Sequence, residues 1–310
     1  MATSGSIDFS VTRNELILTA LQHISAIGDG ETPSSTQYTE GAILLNMLVK
    51  AKMADGMPLW ALKTGYILPV TGTSTILLGP SGGNATLSYV DTTTSAAAAD
   101  GASTIVVTSA TGMSSADYIG VEQDDGTMHW TTINGAPSGT TITLTAVLTD
   151  AVASGNIVYT YTTKMMRPLR IIDARVYNVT DDNEYNIQVN SYVDSRISTD
   201  TGVPNQIWYS PILLNGSLQV YPRFVAGADI IKIRFHSPFE DFDASSDTPD
   251  FPQEFYLPIM TGLASLLAPK NGVPLDERRT LMKESEFMWA QALSNGTEEG
   301  SIYLSPNGSR

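Results

Sequence analysis

Between Lys63 and Lys164 the chain contains no lysine or arginine, while Asp91, Asp100, Asp117, Glu122, Asp124, Asp125 and Asp150 all fall in that window. Short runs rich in Thr, Val, Ile and Tyr (TIVVTSA, YIGVE, MHWTTI, TTITLTA and NIVYTYTT) are separated there by Gly, Asn, Asp and Ser. Strands this short, punctuated by turn residues, predict a small all-β sandwich or barrel. The break in charge at both ends predicts that residues 67–163 are an inserted domain, looped out of whatever the rest of the chain builds.

What lies before the insertion reads as helix. Thr12 followed three residues later by Glu15 is a capping box, in which each side chain satisfies a backbone donor of the other. Leu16, Ile17, Ala20, Leu21, Ile24 and Ile27 then recur at three- and four-residue spacing, and Gly28 is the expected left-handed stop. A second helix is expected from about Thr39 to Asp55, ending at Gly56, so residues 1–66 read as a helical hairpin. Beyond the insertion, residues 164–250 carry the strand-like runs EYNIQVNSYV, QIWYSPILL, SLQVYP and DIIKIRFH, with Asn215-Gly216 as a hairpin signal. Helices return over about 251–267 and 275–293 within a segment 251–295, and a polar tail occupies 296–310. The fold class is therefore α+β: a bundle of N- and C-terminal helices with a β-rich middle and an inserted small β domain.

At 42% hydrophobic and 16% charged residues, the chain of 310 has the makeup of a folded protein. It has no cysteine, which excludes disulfides, thiolate zinc sites and a cysteine nucleophile. The start MATSGSIDFS has neither a basic leader nor an apolar core, and no apolar run approaches a membrane span; synthesis in a cytoplasm is expected. A formal net charge of −15 argues against gripping nucleic acid by phosphate neutralisation.

Several motifs invite chemistry. GPSGG at 79–83 matches a nucleophile-elbow pattern at Ser81, but an elbow needs a helix directly after it, and NATLSYVDTTT reads as strand and turn. QDDGTMH lacks the spacing of a calcium loop and reads as a hairpin turn. His23, His129 and His236 fall far apart, and Tyr118 and Trp130 read as cross-strand packing as readily as sugar stacking. In EDFDASSDTPDFPQE the acids Glu240, Asp241, Asp243, Asp247, Asp250 and Glu254 lack any cation among them; Asp250 with Gln253 has capping-box spacing, so the stretch is expected to open the third helix. Lys164, Arg167, Arg170 and Arg175 form a basic group expected to bridge a domain or subunit boundary.

TRNELILTALQHISAIGDGETP, GAILLNMLVKAKMADGMPLWAL, KMMRPLRIIDARV, GVPNQIWYSP, LQVYP and DFPQEFYLPIMTGLASLLAP, in that order, resemble the head-to-tail adaptor proteins of short-tailed bacteriophages, the tail accessory factors related in role to tail tubular protein A. The resemblance covers both helical ends and the β region 164–250. It implies a ring of about twelve copies at the head-tail junction of a virion, closed by heterologous contacts, with portal protein above and a tail or nozzle protein below. It also implies a DNA channel through the ring, synthesis in a bacterial host, no cofactor, no metal and no catalysis. At −15 each, about twelve copies carry roughly −180 formal charges, so DNA is expected to pass without tight binding. In the tail, Ile302, Tyr303 and Leu304 are three adjacent apolar residues between polar flanks, an expected portal anchor. The competing classes are a glycan-active hydrolase using the acids of 240–254 and a carbohydrate-binding β protein.

Overall fold

The computed structural model describes residue 5 and residues 8–54, 61–190, 199–225 and 227–295. It is a mixed α+β structure with a β-rich middle, and it divides into two compact units, Met1–Ala61 with Phe239–Arg310 and Leu62–Pro238.

The first unit holds the helices α1 (Arg13–His23), α2 (Ser35–Ala54), α3 (Tyr256–Leu267) and α4 (Leu275–Asn295). They share one apolar cluster that includes Ile17, Leu21, Leu45, Val49, Phe255, Leu263 and Trp289. α3 contacts the other three and is buried nearly all round, as an apolar helix without a polar face must be. The Thr12–Glu15 box forms: the Thr12 N–H donates to Glu15 Oε2 at 2.7 Å, and the Glu15 N–H donates to Thr12 Oγ1 at 3.3 Å. The Thr12 N–H, and then the Thr12 hydroxyl, which donates to Glu15 Oε2 at 2.8 Å, favour the ionised carboxyl and lower its pKa.

Two helix limits differ from expectation. α1 stops at His23, not at Gly28, because Ser25 takes the left-handed φ of 55° and the N–H groups of Ser25 and Ala26 bond back to Gln22 O and Leu21 O. The Gly28 N–H instead donates to the Glu31 carboxylate. α2 begins before Thr39, since Ser34 and Gln37 make a second reciprocal cap, Ser34 N–H to Gln37 Oε1 at 2.8 Å and Gln37 N–H to Ser34 Oγ at 3.3 Å. Gly56 lies outside the described residues.

The second unit contains β1 (Leu62–Ile67), β2 (Thr75–Leu78), β3 (Ala85–Thr86), β4 (Val90–Thr93), β5 (Thr104–Val106), β6 (Tyr118–Glu122), β7 (Met128–Thr132), β8 (Thr141–Thr143) and β9 (Ile157–Tyr161). It continues with β10 (Arg170–Asn178), β11 (Asn183–Asn186), β12 (Gln188–Asn190), β13 (Gln206–Ser210), β14 (Gly216–Tyr221) and β15 (Asp229–His236). One sheet has the order β11-β10-β15-β1-β3, and another β12-β13-β14-β2. Their inward residues, among them Ile67, Leu78, Val176, Ile207, Leu218, Ile233 and Phe235, form one core. A third sheet, β4-β9-β6-β7, and the pair β5-β8 enclose a separate core of Ile105, Val107, Ile119, Val121, Ile142 and Val158.

Only part of the span 67–163 closes on itself. β2 pairs with β14 and β3 with β1, so the self-contained β body begins near Val90. Charge composition reports which surface a segment presents. It says nothing of pairing, which here follows the alternating burial of Ile76 and Leu78 against Leu218. A smaller cluster of Leu68, Met128, Tyr159, Tyr161 and Ile230 joins the third sheet to the first.

Candidate interaction surfaces

The acidic stretch 240–250 belongs to the helical unit, and it serves a different helix from the one expected. The first N–H groups of α1, those of Arg13 and Asn14, donate to Asp247 O at 2.8 Å and Ser245 O at 3.3 Å. The stretch thus satisfies donors that α1 cannot satisfy internally. α2 holds it down. Lys50 Nζ reaches Asp241 Oδ1 and Phe239 O, each at 2.6 Å, and the Asn46 amide exchanges hydrogen bonds with the backbone of Phe242. The Asp247 carboxylate accepts from Ala244 N–H and that of Asp250 from Glu240 N–H. The 3-10 turn Gln253–Phe255 that leads into α3 has Pro252 at its cap position and no side-chain cap. The partners of this stretch lie some 200 residues away in sequence, where a spacing rule cannot find them. A cavity of about 560 Å3 opens among Glu240, Asp241, Asp243, Asp247 and Asp250; of these carboxylates Asp241 already holds Lys50, and Asp247 and Asp250 already accept from backbone N–H groups.

The other motifs resolve as turns. GPSGG joins β2 to β3, with Gly79 at φ 155° and the Gly82 N–H bonded to Gly79 O; a strand follows Ser81, not a helix. Ser81 Oγ accepts from Asn215 Nδ2 at 2.8 Å. QDDGTMH makes the β6–β7 hairpin turn, where Gly126 has φ 81° and the Asp125 carboxylate accepts from the Thr127 hydroxyl at 2.7 Å, which lowers the Asp125 pKa. His23 ends α1, His129 sits on β7 and His236 ends β15; burial, then the nearby Arg170 guanidinium, lowers the His236 pKa. Among the described residues, no three His, Asp or Glu side chains converge as metal ligands would.

The four basic residues do not form one group. Lys164 donates to Gly82 O and lies 4.9 Å from the centre of the Tyr118 ring. Arg167 donates to Ile212 O at 3.4 Å. Arg170 sits opposite His236 at the start of β10. Arg175 and Lys232 both reach Glu184, at 3.2 and 2.9 Å, and their hydrogen bonds, that of Lys232 foremost, hold its carboxyl below the usual range. Ile302, Tyr303 and Leu304 lie outside the described residues.

The surface that sequence reasoning missed is the tip of the β13–β14 hairpin. The connection is Pro211–Asn215 in place of a two-residue Asn-Gly turn, and it exposes Ile212 at 49%, Leu213 at 94% and Leu214 at 67%. Leu214 adopts φ 75°, an uncommon region for a bulky side chain. The base of the hairpin is fixed: Tyr209 donates its hydroxyl to Pro168 O, and Gly216 makes room for that ring, since a Cβ there would lie 2.0 Å from the Tyr209 oxygen. Burial raises the Tyr209 pKa to about 12. From Thr201 to Pro222 no residue is charged. Beside the hairpin base is a cavity of about 380 Å3 lined by Leu169, Ile171, Val189, Tyr209 and Pro211, with Arg170 as its one charged lining residue. The signal was present in SPILLNG, three adjacent apolar residues where a turn should be polar. In the helical unit, Ile43 and Met47 of α2, Leu257 of α3, and Met282 and Phe287 of α4 are also largely exposed.

No family model matches the chain, and no curated protein matches it. Among solved structures the chain is similar to the Gp54 tailspike of Acinetobacter baumannii bacteriophage AP22, determined in complex with A. baumannii capsular saccharide. The similarity has a TM-score of 0.23 and 12% identity over 26% of this chain, and spans 16% of the tailspike's length. A likeness at that level assigns neither fold nor function. No helix among the described residues is long and apolar enough to cross a membrane.

Proposed function

We propose that this protein is a structural component of a bacteriophage virion, a head-to-tail adaptor that assembles as a ring of about twelve copies beneath the portal. In this reading the helices of the first unit form the adaptor bundle, a tail or nozzle protein attaches below, and DNA passes through the ring without tight binding. The reading rests on the resemblance of both helical ends and the 164–250 region to such adaptors. Its carrying observation is the uncharged, apolar hairpin tip at Ile212–Leu214. Copies that each carry −15 repel one another, and an uncharged patch is where they can meet without adding to that repulsion. The tip and the cavity beside β10 and β13 are two different patches of one chain, the requirement for a heterologous contact that closes into a ring.

The portal side of the proposal is assigned to Ile302, Tyr303 and Leu304. Truncation after Gly296 is expected to leave the melting temperature nearly unchanged and to weaken co-sedimentation with purified portal. Equal attachment by the truncated and full chains would remove that assignment while leaving the ring itself to be judged by its own measurement.

A further inference from the structure

Tyr118 and Trp130, separate in sequence, come together on one face of the third sheet. β6 and β7 pair so that Gly120 stands opposite Trp130 and Tyr118 opposite Thr132. Gly120 is the reason the tryptophan can lie down: a Cβ there would fall 2.7 Å from three carbons of the indole ring. The ring therefore rests against the backbone of β6, and its N–H donates to Pro69 O at 2.9 Å, which fixes its rotation. Tyr118 is fixed as well. It stacks on Tyr161 with ring centres 4.8 Å apart and planes 16° from parallel, and the Tyr161 hydroxyl donates to Asn84 Oδ1. These two immobilised aromatic side chains, with Asn84, Thr131, Thr132 and Lys164, line a cleft of about 260 Å3.

The polar groups of the cleft have capacity left. Lys164 carries three donors and gives one to Gly82 O; Asn84 accepts from Tyr161 through its oxygen, which leaves its amide hydrogens as donors. Flat aromatic surface beside several donors suits a pyranose, whose ring has an apolar C–H face and a rim of hydroxyls. The one charged lining residue is a cation, in a chain whose balance is strongly negative and at the end of a window that holds no other cation. We propose that this cleft binds a carboxylate-bearing pyranose of an acidic glycan, with the sugar packed on Trp130 beside the edge of Tyr118 and its carboxylate held by Lys164. The proposal goes beyond the assembly role and does not depend on it.

The test uses the full chain and two tetrasaccharides followed by calorimetry, one alternating glucuronate with N-acetylglucosamine and one of N-acetylglucosamine alone. The acidic sugar is expected to bind about tenfold more tightly than the neutral one, as one charge-assisted contact provides. Trp130→Ala is expected to lose about tenfold or more in affinity for the acidic sugar. Lys164→Met should bring the two sugars to equal affinity, with the circular dichroism of native protein retained. No binding of the acidic sugar, equal affinities in the native chain, or affinity untouched by Trp130→Ala would each overturn the proposal. Where Trp130→Ala fails to fold, Lys164→Met decides it: a lost preference supports the site, and a retained preference overturns it.

Discussion

Replacing Ile212 and Leu213 by serine and Leu214 by asparagine is expected to abolish ring assembly while leaving the isolated chain as stable as before. The three side chains are solvent-exposed in the free chain, so removing them opens no cavity and leaves no buried group without a partner. Asparagine tolerates the left-handed conformation of Leu214, which keeps the turn intact. In an assembled ring the same side chains would be withdrawn from water, at about 1.5–3 kcal/mol for each one fully buried. Allowing for incomplete burial, a loss of about 4 kcal/mol per contact corresponds to about a thousandfold in affinity. Sedimentation velocity reads the outcome: the native chain should run as a large closed species and the triple variant as a monomer at the same concentration. An unchanged sedimentation profile would show that the tip is not the contact.

Trp289→Ala is expected to cost about 3–5 kcal/mol, the largest single loss in the helical unit. Trp289 is 5% exposed, and its ring meets Phe255 edge-on at 5.1 Å. Among the described residues its buried indole N–H has no hydrogen-bond partner. An unpaired buried donor costs about 1–3 kcal/mol, so Trp289→Phe should give back in polar burial much of what it loses in apolar area. The phenylalanine variant is expected within about 1 kcal/mol of native. Because the chain divides into two units, hydrogen exchange should show the alanine variant's loss in amides of α1, α3 and α4 and leave β10 and β15 protected. If both variants lost stability equally, the N–H would be paired in solution.

These two predictions rest on features of different legibility. The helices announced themselves through local chemistry: Thr12 with Glu15 is a contact over three residues, and so is Ser34 with Gln37, to which the same spacing rule applies. The acidic stretch was open to misreading because its decisive partners, Arg13, Asn46 and Lys50, are remote in sequence, while the Asp250–Gln253 spacing offered a local explanation. The same limit applies to the strands. Alternation marked β2 as a strand, yet its pairing with β14 depends on a strand far down the chain. Of the candidate site residues, Lys164, Arg167, Arg170 and Arg175 are close in sequence but point to four separate tasks, because an extended backbone carries neighbours apart and to opposite faces. Tyr118 and Trp130 show the reverse, since only the pairing of Gly120 with Trp130 makes a platform of them.

The central claim is that the chain builds a ring, and electron microscopy of the purified full-length protein tests it most directly. The account predicts annuli of about twelve copies around an open channel, with weak and salt-insensitive affinity for duplex DNA, as a lumen of acidic subunits requires. Compact monomers that cleave glycans would contradict it and move the chain to the hydrolase class.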